Sequence, residues 1–335
     1  MDPLIRVRGL VKEFRVVDRR EGVRGAVVDL FRPRRRVVRA VDGVSFDVER
    51  GEMVGYIGPN GAGKSTTVKI LTGILVPSAG EVLVGGLVPH ADRKRHVRRI
   101  GVVFGQRTQL WWDIAVVESF RLLRKIYGVA EADFRSRLAE LSAILELEPL
   151  LHVPVRKLSL GQRMRCDIAA SLLHRPDILF LDEPTIGLDV VAKDSIRAFL
   201  KDVNARLGTT VLLTTHDLRD IEELCRRILV IDRGQVIFDG GLAEIRERHA
   251  AEASVEFDFA RAAEEEELAG LVGPRASVRW ERLAPLRWRA TFDRRAVPVA
   301  EVISRTVPRI PVSDLSIAEP DIEDVVKKIY RQGRA

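Results

Sequence analysis

A chain of 335 residues, 46% apolar and 31% charged, has material for two buried cores and excludes wholesale disorder. Nowhere do about 18 apolar residues follow one another, and the opening MDPLIRVRGLVKEF holds no apolar leader, so this polypeptide does not span a bilayer by itself. The formal net charge of +7 suits anionic partners (nucleotides, nucleic acid, an inner membrane surface) without choosing among them.

In chain order, residues 4–14 alternate as a strand. Residues 15–39 are basic, with RPRRR at 32–36, and read as an irregular insertion. Residues 40–50, AVDGVSFDVER, alternate again. MVGYIG is a short apolar strand, followed by a Gly-rich turn and a helix from about Lys64 to Thr72. EVLVGG (81–86) and RRIGVVFG (98–105) read as strands, the second ending near Gln106. Residues 113–148 read as helical on the spacing of Phe120, Leu123, Ile126, Leu138, Leu141 and Leu145, and 161–174 as a further helix. PDILFLDEP is a strand, and DVVAKDSIRAFLKDVNARLG a helix stopping at Gly208. TTVLLTTH, DLRDIEELCRR and ILVIDRGQVIFDGG then read as strand, helix and hairpin. Apolar strands alternating with helices specify an α/β sheet core. Beyond about residue 240 the texture changes. An acidic run at 264–267, strands in SVRWE and LRWRATF, a helix in PVAEVISRT and a last helix in DIEDVVKKIYR describe a small α+β piece. Cys166 and Cys225 have neither metal-site nor disulfide spacing and read as buried free thiols of a reducing compartment.

GPNGAGKST at 58–66 satisfies G-x-x-x-x-G-K-[ST] between a strand and a helix. Gly58, Gly61 and Gly63 let backbone amides approach phosphate, with Pro59, Asn60 and Ala62 completing the loop. The helix start adds unpaired N–H groups and a favourable dipole. Lys64 reaches the outer phosphates, Ser65 ligates Mg²⁺, and Thr66 helps hold an inner phosphate. ILFLDEP at 178–184 ends an apolar strand in two acids. Asp182 holds Mg²⁺, directly or through water, and Glu183 polarises the attacking water. ATP and Mg²⁺ are therefore the expected substrate and cofactor. Fixed donors in such a cradle stabilise charge spreading over the transferred phosphoryl group.

From here the chain resembles the ATP-binding cassette (ABC) family, the nucleotide-binding subunits of ABC transporters. Gln106, 42 residues after Lys64 (106 − 64), resembles the Q-loop glutamine. LSLGQ at 158–162 resembles the signature, IGLD at 186–189 the D-loop, and His216 the switch histidine. The match covers residues 4 to about 240. It implies a P-loop ABC-type ATPase core at 1–240, containing an antiparallel β subdomain and a helical subdomain at 107–173. The remainder, 241–335, is an accessory α+β domain. In the family two cassettes meet head to tail. The resemblance implies that Ser159, Gly161 and Gln162 serve the ATP held by the partner's Lys64, and that Asp189 crosses the interface. His216 contacts the γ-phosphate beside Glu183. Gln106 senses Mg²⁺ and the attacking water. Phe14 is the candidate for stacking on adenine.

Taken singly these residues have plainer readings: Ser159 starts a capping box, Asp189 caps a helix, Gln106 is a surface polar group, and His216 is an ordinary histidine at a helix N-terminus. Two departures stand out. Leu160 replaces the usual signature glycine and adds bulk near the nucleotide. Gly105 is an extra glycine before Gln106, which makes Gln109 a rival for the Q-loop role. Trp111 and Trp112 read as core packing or as anchors for a permease. The basic segment 15–39 reads as a solvated loop or as a contact to headgroups or permease.

The GPNGAGKST and DEPTIGLD strings and the terminal VSDLSIAEPDIEDVVKKIY resemble the ABC-2 type exporter group. That implies a homodimer with two ATP sites, working with two separately encoded transmembrane permeases at the cytoplasmic face of the membrane. The transported substrate would touch the permease, and no nucleic acid is expected. The rivals are a soluble cassette of translation or DNA maintenance, an importer ATPase, and a regulatory pseudo-ATPase. Only 118 residues (182 − 64) separate Lys64 from Asp182, which leaves no room for a repair-type coiled-coil arm. Intact Lys64, Asp182, Glu183 and His216 oppose the pseudo-ATPase.

Overall fold

The computed structural model describes residues 2–18, 34–105, 107–249, 252–271, 278–318 and 325–326. Contacts divide the chain into two units, Met1–Asp239 and Gly240–Ala335. The first begins β1 (Ile5–Asp18), β2 (Arg34–Val48), β3 (Met53–Ile57), α1 (Lys64–Leu71), β4 (Ala79–Val84), α2 (Arg93–His96) and β5 (Ile100–Phe104). It continues through three helices, α3 (Val116–Tyr127), α4 (Glu131–Leu145) and α5 (Leu160–Leu172). It ends β6 (Ile178–Asp182), α6 (Val190–Leu207), β7 (Thr210–Thr214), α7 (Leu218–Leu224), β8 (Arg227–Asp232) and β9 (Gln235–Gly241).

The six-stranded central sheet has the order β5-β6-β7-β3-β8-β9. β3 runs parallel to β7 and β8, and β6 parallel to β5 and β7. Every residue of β3 and β7 is buried, as expected for parallel strands covered on both faces. A three-stranded antiparallel sheet, β2-β1-β4, packs against it through one apolar cluster. Phe46 of β2 meets Tyr56 of β3 with ring centroids 5.8 Å apart.

Two expectations change here. The segment 15–39 is not irregular throughout: β1 and β2 stay paired as far as Val17↔Arg35 and Asp18↔Arg34. Val16, Val17, Val37 and Val38 are β formers whose strand tendency is hidden by the high charge of the segment. Residues 19–33 lie outside the described residues. The single helical stretch 113–148 is two helices, because Gly128 takes φ 70° and ends α3 with a left-handed cap. The helix ending at Gly208 is as read, with φ 62° there and the Gly208 N–H donating to Asn204 O at 3.0 Å.

The second unit contains α8 (Leu242–His249), β10 (Glu252–Phe259), α9 (Glu265–Ala269), β11 (Arg279–Ala284), β12 (Arg287–Asp293), α10 (Val299–Thr306) and β13 (Val312–Ala318). Its sheet order is β11-β12-β10-β13, and the observed ladders are antiparallel. Phe257, Phe259, Trp280 and Trp288 form a core separate from the first. The strands read in SVRWE and LRWRATF correspond to β11 and β12, which the structure pairs antiparallel, whereas β10 and β13 were not legible as strands. Of the final helix read in DIEDVVKKIYR, only Val325 and Val326 are described, and they are helical. No helix among the described residues is long and apolar enough to cross a membrane.

Separate cores predict separable responses to cavity mutations. Phe180→Ala in β6 and Phe257→Ala in β10, both side chains fully buried, should each cost about 3–5 kcal/mol. Scanning calorimetry should show each substitution lowering a different thermal transition.

Candidate active site: the phosphate loop and the acidic strand end

Parallel register sets the site. Asp182 of β6 pairs with Thr214 of β7, and Thr214 pairs with Tyr56 of β3. The carboxyl ends of the three strands therefore lie level, where open α/β sheets bind ligands. The loop 58–66 leaves β3 there, Glu183 leaves β6, and His216 leaves β7.

The loop curls around a cavity of about 960 Å³ that residues 58–66 line together with Ala40, Glu183, Ile186 and His216. Gly63 enters α1 at φ +108°, and a Cβ there would fall 2.3 Å from Ala40 O, so only glycine fits. Lys64 is 8% exposed. Its Nζ donates to Gly58 O at 2.6 Å and Pro59 O at 3.2 Å. Burial lowers its pKa, and the charges of Glu183 and Asp182 oppose that shift. The ammonium is thus held by its own loop, next to the space an anion would enter.

Ser65 Oγ donates to Asp182 Oδ1 at 3.3 Å, and Thr214 Oγ1 donates to the same oxygen at 2.6 Å. Ser65 and Asp182 offer two hard oxygen donors side by side, which fits Mg²⁺ if phosphates and water complete its shell. Glu183 takes the left-handed conformation at φ 56°, rare for a residue with a side chain. Its N–H donates to Thr214 O at 3.0 Å, and its Oε2 lies 2.6 Å from His216 Nδ1. This turn explains the extra glycine before Gln106. A Cβ on Gly105 would come within 2.0 Å of Glu183 O, so the catalytic candidate's backbone requires glycine there.

A buried cluster missed at the level of sequence holds these pieces. Asp220 of α7, fully buried, accepts from the hydroxyls of Thr185 and Thr215 and from Arg197 Nε at 2.6 Å. Thr185 follows Glu183 by two residues and Thr215 precedes His216 by one, so one carboxylate ties both catalytic segments together. Nothing in residue type marks Asp220; its role depends on the α6–α7 packing.

The other expected site residues lie elsewhere. Ser159 and Asp189 are exposed, Gly161 and Gln162 half-buried, and none lines the cavity. Ser159 caps α5 in a full capping box: the Gln162 N–H donates to Ser159 Oγ at 3.2 Å, and the Ser159 N–H to Gln162 Oε1 at 2.9 Å. Asp189 caps α6 by accepting from the Ala192 N–H at 2.8 Å. Leu160 Cδ2 stands 3.1 Å from where a Gly187 Cβ would be, so its bulk packs on the chain's own D-loop. Phe14 is 36% exposed under Lys12 Nζ and is not among the cavity-lining residues. Gln106 lies outside the described residues. Its rival Gln109 donates its side-chain amide to Asp167 O at 2.8 Å. Cys166 and Cys225 are free and buried, and burial raises both thiols.

Such a cradle, with an acidic strand end and a signature turned elsewhere, defines a P-loop ATPase of the cassette class. Residues 41–186 match the ABC transporter family. The chain is 33% identical to the ABC transporter ATP-binding protein NatA of Bacillus subtilis, over 66% of this chain and 90% of that one. It is 43% identical to the Nod factor export ATP-binding protein I of Ralstonia nicotianae, over 60% of this chain and 62% of that one. The matched segment thus spans less than two thirds of the Nod factor protein. The fold is similar to a dimeric post-hydrolysis ATP-binding cassette bound to ADP and Pi, with TM-score 0.59 and 27% identity over 71% of this chain and 98% of that one. The chain belongs to the ABC transporter family as one of its ATP-hydrolysing subunits.

Asp220→Ala should remove the acceptor of Arg197 Nε while Asp194 still holds the guanidinium at 2.8 Å, and should cost about 1–3 kcal/mol. Denaturant titration should show that loss. Turnover of the folded fraction should fall as well, because Thr185 and Thr215 lose their shared acceptor.

Proposed function

We propose that this chain energises an ABC-2 type exporter from the cytoplasmic face of the membrane. Two copies would enclose two ATP molecules and act on two separately encoded permeases. The observation that carries this reading is the split between cavity and signature. Lys64, Glu183 and His216 share one cavity, while Ser159 and Gly161 stand outside it, one exposed and one half-buried. A second copy, turned head to tail, is the natural source of the missing signature.

In that arrangement the γ-phosphate exchanges places with the carbonyls of Gly58 and Pro59 around Lys64. Ser65 and Asp182 would hold Mg²⁺, which when bound offsets phosphate charge. Glu183, positioned by His216, orients water for attack on the γ-phosphorus, and ADP leaves with the β–γ bridging oxygen. Ser159 Oγ and the Gly161 amide of the second copy stabilise the charge that develops. By resemblance Gln106 senses the metal and water. Phe14 remains the candidate adenine contact, and Asp189 the residue crossing between copies. Export is supported by the Nod factor relative and by the resemblance of the terminal segment. Trp111 and Trp112, 41% and 49% exposed, supply apolar area for a permease.

ATP turnover by the purified chain should rise more than linearly with protein concentration. Glu183→Gln should lose most turnover and form an ATP-dependent dimer by light scattering. Turnover proportional to concentration, with a variant that stays monomeric in ATP, contradicts the two-copy site. Co-purification of the chain with a membrane protein of about six spans lacking its own cassette would support the permease assignment.

A further inference from the structure

The segment 108–112 that carries the exposed tryptophans is fastened to the helix that begins with the signature. Asp167, on α5, is 3% exposed. Its Oδ1 accepts from Thr108 Oγ1 at 2.9 Å and from the Gln109 N–H at 3.0 Å. The Gln109 side-chain amide donates to Asp167 O at 2.8 Å. One turn earlier on the same face, Arg163 lies 5.6 Å from the Trp112 ring centroid in a cation–π contact. From Asp167 the helix runs back about two turns to Ser159. There Gly161 sits against Ala192, and Leu160 against Gly187.

A carboxylate in this place is costly. Burial pushes Asp167 up to about 6, opposed by the Gln109 N–H, the Thr108 hydroxyl and the Arg163 charge. A small apolar residue would fill the helix face without that cost. The side chain is therefore placed for the bonds it accepts, all of which go to one loop.

We propose that Asp167 is a positioning residue that latches the loop 108–112 to the signature helix, so that movement at Trp111 and Trp112 is delivered to Ser159 and Gly161. The inference rests on the two-copy reading above. It adds a mechanical link between a surface suited to a permease and the part of the signature offered to the second copy's ATP. Asp167 is not among the residues lining the phosphate cavity. It acts through the stiffness of α5, and Leu160 and Gly161 extend the link to the D-loop and α6 of the same chain.

The test is amide hydrogen exchange on the full chain in a Glu183→Gln background, with and without ATP. In the parent, ATP should slow exchange at residues 158–162 and also change it at 108–112. In Asp167→Ala, the Gln109 amide should exchange roughly tenfold faster, as expected for a lost charged acceptor. The ATP response at 158–162 should persist while the response at 108–112 disappears. Asp167→Asn, which keeps an acceptor oxygen, should restore the response. Gln109→Ala, which leaves α5 untouched, should weaken it and covers the case in which Asp167→Ala does not fold. A response at 108–112 that survives in both Asp167→Ala and Gln109→Ala overturns the latch. A merely structural role is recognised by faster exchange along all of α5 with Asp167→Asn failing to rescue, and that too overturns it. No ATP response at 158–162 in the parent overturns the two-copy reading and the coupling built on it.

Discussion

Level register among β6, β7 and β3 is the constraint on which the site depends. It sets Asp182, Thr214 and Tyr56 in one row across the sheet. The phosphate loop, the two acids and the histidine then emerge from neighbouring strand ends with little freedom to differ. Thr214 serves both sides of this row: its hydroxyl donates to Asp182 and its carbonyl accepts from Glu183. A one-residue slip in β7 would exchange its two faces and break both contacts. The left-handed turn at Glu183 survives because Gly105 leaves room for its carbonyl and Asp220 anchors the segment beyond it.

Much of this was legible because the chemistry is local. Phosphate binding needs glycine, lysine and serine at fixed offsets, and metal binding needs an acid at the end of an apolar strand. Both are contiguous strings. The Ser159 capping box was likewise contained in four residues. What escaped the sequence was non-local. Asp220 is one acid among many on a helix, and only the packing of α6 against α7 shows that Arg197, Thr185 and Thr215 converge on it. Asp167 resembled an ordinary polar position until the loop after β5 folded onto α5. The glycine at 105 looked like a displaced motif residue, but its cause is a carbonyl from a different strand.

The errors have similar origins. The extension of β1 and β2 was masked by arginines: beyond Val11 β1 pairs with β2 alone, and a two-stranded ribbon with open edges tolerates charge. In the second unit, β10 buries Ala253, Val255, Phe257 and Phe259 between polar residues. This period-two pattern spans only eight residues and is followed closely by the acidic run at 264–267. The break at Gly128 divided a helical stretch whose apolar spacing seemed continuous. Leu160 looked threatening to a nucleotide only while its neighbour was unknown; against Gly187 it packs on its own chain.

The central claim is that the signature of one copy completes the phosphate site of another. Asn60 and Ser159 are both exposed, and the native cysteines are buried, so single introduced thiols can report it. Glu183→Gln chains carrying Asn60→Cys would be mixed with Glu183→Gln chains carrying Ser159→Cys and treated with a short bifunctional thiol reagent. The account predicts a covalent dimer joining the two kinds of chain that forms in ATP and is lost without it. A cross-link indifferent to ATP, or none while both chains bind ATP, would contradict it.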